Sequence, residues 1–157
     1  MTKLLLLLIG LSSFYFHGYY FATGDQSTYV PQVLKRLDPT LFQRDYLAST
    51  AEGDLSYMFP FMTSIIKVTG IDIEWLYFLL YFIFRWFILI AIYQLSFTLT
   101  RSRPAALLAA LILSLPKFIA GTNSPTLDNA WLPRFFALPL LLLSLNYLAK
   151  HQFIISA

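Results

Sequence analysis

Asp25, Asp128 and Arg134 are the side chains best suited to chemistry, and each borders an apolar run. Asp25 follows the first such run by a few residues. A carboxylate there can bind a divalent cation, act as a general base, or cap the next helix. Asp128 lies in the turn-rich stretch GTNSPTLDNA, and Arg134 follows it by six residues within WLPRFF. A guanidinium there suits a phosphate or diphosphate group, with a structural Asp128–Arg134 pair as the competing reading. Two acids on one membrane face, Asp25 and Asp128, can converge on one substrate. Lys35 and Arg36 face either lipid headgroups or a phosphorylated substrate. Arg85 stands inside a long apolar run, where a charge demands a partner, a wet cavity or a bundle interior, so it binds substrate or packs against carbonyls or a carboxylate. Tyr81 and Tyr77 lie one and two turns from it on about the same face. His17 is expected to meet a neighbouring helix rather than a metal. The sequence holds no P-loop, GxGxxG, HExxH or nucleophile elbow.

The elements that must position these groups belong to a membrane protein. Of 157 residues, 58% are hydrophobic and 18% aromatic, and only 12% are charged. A soluble domain is about a quarter charged. With a mean hydropathy of +0.66, the lipid bilayer is the expected partner. The formal charge of +3 does not imply nucleic acid, because the bases are few and dispersed among apolar runs, with no stripe to track phosphates. Cysteine is absent, which excludes disulfides and thiol chemistry.

Leu4 to Ala22 is long enough to cross a hydrocarbon core of about 30 Å as a helix. An uncleaved first span is preferred to a signal peptide, since the stretch outruns the usual signal length and has no small-x-small site. In the polar segment 24–73, Tyr29, Val33, Leu34 and Leu37 recur at helical spacing, with Asp25 or Ser27 as a cap and Asp38-Pro39 as the stop. Thr40 to Tyr46 reads as a turn or short helix. Leu55 to Val68 reads as a further helix ending at Gly70, with Pro60 inside. Trp75 to Leu99 is the clearest span. A third runs from about Ala105 to Ala120, with Pro104 in its first turn and a kink at Pro116. The fourth runs from about Leu132 to Ala149.

Lys3, Arg101, Arg103 and Lys150 fall on one side if there are four spans. The segment from residue 24 to 74 holds seven acids against four bases. By the positive-inside rule both termini are cytoplasmic and residues 24–73 are external. The expected fold class is therefore all-α: a polytopic membrane domain over 1–157 with about four transmembrane helices, and juxtamembrane helices in the first external loop.

Four stretches, GDQSTYVPQVLKRLDPTLFQRDY, GIDIEWLYFLLYF, TRSRPAALLAALILSL and WLPRFFALPLLLLSL, together resemble the amino-terminal part of GT-C-type polytopic glycosyltransferases. Such enzymes carry an acid in the first external loop, two juxtamembrane helices there, and seven or more further spans. They transfer a sugar from a polyprenyl-phosphate donor on the non-cytoplasmic face, usually with inversion, and many use a divalent cation such as magnesium or manganese. The resemblance implies that Asp25 is the first-loop acid, as general base or metal ligand, with Asp128 as the second-loop acid. It implies juxtamembrane helices at 28–37 and about 55–68, and a lipid-phosphate contact at Arg134. The family often pairs its first-loop acid with a second, where this chain has Asp25-Gln26. It often separates two second-loop acids by one residue, where this chain has Asp128-Asn129-Ala130. The resemblance covers nearly the whole chain but only part of such an enzyme. The alternative is a non-catalytic integral membrane protein, either an assembly subunit or a degenerate fragment.

Overall fold

The computed structural model describes residues 2–46, 56–119, 124–125, 127 and 129–155. It is all-α. Among the described residues there are six helices: α1 Thr2–His17, α2 Gln26–Leu37, α3 Met58–Thr69, α4 Ile73–Thr100, α5 Arg103–Ser114 and α6 Pro133–Ile155. Two short strands, β1 Phe118–Ile119 and β2 Ser124–Pro125, pair antiparallel between α5 and α6. The chain divides into two compact units, one of residues 1–19, 81–129 and 133–157, the other of 20–80 and 130–132.

In the first unit, α1 and α4 run antiparallel. Gly10 lies against Trp86, Ser13 bonds Arg85, and Phe14 stacks on Phe82, so α1 ascends as α4 descends. The chain reverses at Arg101 and Ser102, and α5 returns beside α1 until Ser114 meets Ser13 and His17. Helix α6 runs parallel to α4. Phe135 meets Tyr81, Phe136 meets Phe84, and the Thr98 hydroxyl donates to Asn146 at 2.6 Å. Small side chains at Gly10, Ser13, Ala106 and Ala110 are buried, which lets α1 approach its neighbours closely.

In the second unit, α2 packs on α3, and Tyr29 meets Phe59 at 5.8 Å between ring centroids. Val30, Val33, Phe59 and Met62 form its core with Leu76, Tyr77 and Trp131. The buried stripe of α2 is thus Gln26, Val30 and Val33, whereas the expected Tyr29, Leu34 and Leu37 are only half-buried. Leu37 ends α2 as expected, because Asp38 before proline takes extended backbone. Pro39 to Arg44 is a turn. Helix α3 stops at Gly70, whose φ of 68° is the left-handed cap that favours glycine. Pro60 stands in its first turn, where the missing N–H costs nothing.

Three expected helices change length. The first ends at His17 instead of Ala22, because Gly18 takes a φ of 66° and closes the last turn on the Phe14 carbonyl at 2.9 Å. The third ends at Ser114, and Pro116 stops it where a kink was expected. Leu115, the residue before that proline, is forced to φ −82° and ψ 146°. The fourth runs beyond Ala149 to Ile155 and contains Pro139. Among the described residues, one helix is long and apolar enough to cross a membrane, α4, with 28 residues and a hydropathy of 2.1. At about 1.5 Å per residue it is roughly 42 Å long.

Candidate functional site

The side chains that the first unit brings together are centred on Arg85. Its guanidinium is fully enclosed, at 0% exposure. Nε donates to the Ser13 hydroxyl at 2.9 Å and Nη1 to the Tyr81 hydroxyl at 2.8 Å. Tyr81 passes its own proton to the Gly18 carbonyl at 2.7 Å, and Ser13 donates to the Ser114 carbonyl at 3.2 Å. His17 Nε2 lies 3.1 Å from that same Ser114 oxygen, so its Nε2–H tautomer donates there. The guanidinium carbon sits 5.2 Å from the Tyr81 ring centroid and 5.9 Å from that of Phe14, within range of cation–π attraction. Two hydroxyls and two ring faces are among the groups that surround the charge. This arrangement couples α1, α4 and α5 through one buried cation. A cavity of about 190 Å³ opens beside His17, between Pro116, Lys117, Phe118 and Leu127.

The second unit holds Asp25, Lys35 and Arg36. Asp25 is exposed at the N-cap position of α2, yet its backbone is already helical, at φ −61° and ψ −23°, and its side chain makes no capping bond. Ser27 does not cap either, since its hydroxyl donates back to the Gly24 carbonyl at 2.7 Å. The cap expected from Asp25 or Ser27 is thus missing, because a side chain caps only from extended backbone. Lys35 and Arg36, half-buried, lie in the last turn of α2. Ten residues of helix separate Asp25 from Lys35 by about 15 Å, so the two ends of α2 do not form one site.

Arg134 is the second residue of α6 and is exposed. Asp128 lies outside the described residues, as do the expected Asp25–Asp128 convergence and the Asp128–Arg134 pair. Among the described residues no group of three His, Asp or Glu side chains could hold a metal ion.

Several structural groups were not singled out from the sequence. Gln26, at 0% exposure, accepts from the Ala22 N–H at 2.8 Å and donates to the Trp131 carbonyl at 2.8 Å. It ties the turn before α2 to the segment before α6. Ser13 and Asn146 are polar residues inside apolar runs, and that isolation was the available signal. Ser102 caps α5, its extended backbone at φ −117° letting Oγ accept from Ala105 N–H at 3.4 Å.

The class defined by this fold is an all-α chain with, among the described residues, one helix long and apolar enough to cross a membrane. Compared with protein-family models, curated proteins and solved structures, the chain has no match in any of the three.

Proposed function

We propose that the chain is a multi-pass membrane protein and the amino-terminal part of a GT-C-like glycosyltransferase, acting on a polyprenyl-phosphate sugar with Asp25 on the non-cytoplasmic face. The membrane part of this reading is supported by α4, whose exposed side chains include Leu79, Phe82, Ile83, Phe87 and Ile90. The alternating directions of α1, α4, α5 and α6 suit a bundle that crosses the bilayer repeatedly. Helices α1 and α5, at 16 and 12 residues, would need their flanking segments to complete a crossing of about 30 Å. Carbonate extraction of membranes carrying the protein tests insertion, which requires the chain to stay in the pellet.

The catalytic part is carried by one observation. Asp25 is exposed, and its carboxylate is not consumed as a helix cap. Such a group is available to orient an acceptor hydroxyl, or to hold magnesium or manganese. In this reading Arg134 contacts phosphate, Lys35 and Arg36 at the far end of α2 face lipid headgroups, and Arg85 positions helices. Asp25→Asn in the full-length form should reduce sugar transfer from polyprenyl-phosphate donors roughly 10²–10⁴-fold while leaving insertion unchanged. Retained transfer would remove Asp25 from the mechanism.

A second reading, a non-catalytic membrane subunit, is favoured by Gln26. Where the family often places a second acid, this side chain is buried and bonded to Ala22 and Trp131. That reading predicts that Asp25→Ala, Asp128→Ala and Arg134→Ala together leave the protein's role unaffected.

A further inference from the structure

The helix directions of the first unit bring four of its seven basic residues to one end. Ser13 and Ser114 share a level through their hydrogen bond, and α1 and α5 run the same way from it. Ten residues back along α1 is Lys3, and eleven back along α5 is Arg103, displacements of roughly 15 and 17 Å in the same direction. Arg101 terminates α4 at that end, two residues before α5 begins. Thr98 bonds Asn146 there, and Lys150 lies one turn further along α6. Lys3, Arg101, Arg103 and Lys150 are all exposed. No acidic side chain occurs in residues 1–19, 81–119 or 133–157, and the Glu74 of α4 lies at the other end of that helix. The opposite end of α1 and α5 presents His17, Pro116, Lys117 and Phe118, so one base stands there against three on these two helices and the Arg101 turn.

We propose that this basic end is a docking surface for anionic phospholipid headgroups. The inference rests on the membrane reading and adds a lipid preference to it. The partner is set by charge and location: four long cationic side chains at the tips of apolar helices meet a phosphate layer, and each such contact favours an anionic over a zwitterionic lipid. Their aliphatic stems lie along apolar helix ends while the charges reach the headgroups.

The test reconstitutes the full chain in phosphatidylcholine vesicles with trace spin-labelled phosphatidylglycerol or spin-labelled phosphatidylcholine. The immobilised fraction of each label gives their relative association. Phosphatidylglycerol should be preferred on the order of fivefold at low salt, falling towards parity in molar salt. The K3Q/R101Q/R103Q/K150Q variant should lose the preference, and K3R/R101K/R103K/K150R should keep it, which separates loss of charge from loss of fold. Equal association of both lipids with the parent chain overturns the proposal, as does a preference that survives the glutamine variant. Carbonate extraction of the same vesicles separates the two levels. A chain that remains inserted without lipid preference sinks the docking surface alone, whereas a chain stripped from the vesicles sinks the membrane reading and this inference with it.

Discussion

Arg85 and Ser13, separated by 72 positions, are joined by a 2.9 Å hydrogen bond from Nε to Oγ that fixes where α4 meets α1. Ser13 bonds onward to the Ser114 carbonyl, so one hydroxyl links three helices around an enclosed charge. A buried cation tolerates the loss of an acceptor poorly. Ser13→Ala should lower unfolding free energy by about 1–3 kcal/mol, and Tyr81→Phe by a similar amount. Thermal unfolding in detergent checks both. If Arg85 is held mainly by ring faces, neither substitution will shift the midpoint.

Gly10 is held small by Trp86. A Cβ at Gly10 would lie under 3.0 Å from three atoms of the indole ring. Gly10→Val should therefore force α1 from α4 and cost about 1–3 kcal/mol by overpacking. Combining Gly10→Val with Trp86→Leu should recover part of that loss. A Gly10→Val variant as stable as the parent would show that this contact does not constrain the helix pair.

Asp25, expected as a cap, makes no capping bond, whereas Ser102 makes one, and stability measurements distinguish the two. Ser102→Ala removes the bond to Ala105 and should cost about 0.5–1 kcal/mol. Asp25→Ala removes no capping bond and should change stability by less than about 0.5 kcal/mol. A larger loss at Asp25 would mark it as a structural residue and weaken its catalytic assignment.

Asp38 reports the local order of the turn after α2. Its Oδ1 accepts from the Thr40 hydroxyl at 2.7 Å and the Thr40 N–H at 2.9 Å. These bonds favour the ionised form, the hydroxyl most, and hold the carboxyl below the ordinary aspartate value. A lowered folded pKa stabilises the turn above the unfolded value, and that contribution disappears as pH falls through the folded value. Thr40→Val should raise the Asp38 pKa towards its ordinary value in a carboxyl NMR titration. An unchanged titration would mean the hydroxyl does not hold the carboxylate in solution.

Composition determined that the chain is apolar, and the long uninterrupted apolar runs pointed to helices, because strands are short and their apolar residues alternate when one face meets water. Local chemistry determined several boundaries. Asp38-Pro39 and Gly70 stopped α2 and α3 where expected, since both act within one turn of chain. Pro116 was visible too, but a proline kinks a helix or ends it according to the path of the chain beyond, and here that path is the β1–β2 pairing. The Arg85–Ser13 and Gln26–Trp131 bonds join residues 72 and 105 positions apart, and no periodicity encodes such a pairing. Asp25 was legible as an acid beside an apolar run. Only its backbone conformation, set by how the chain leaves Gly24, decided that the carboxylate does not cap α2. The four bases, and their common side in a four-span chain, were legible in sequence, while the levels at which α1, α4, α5 and α6 meet came from the Ser13–Ser114 and Thr98–Asn146 bonds.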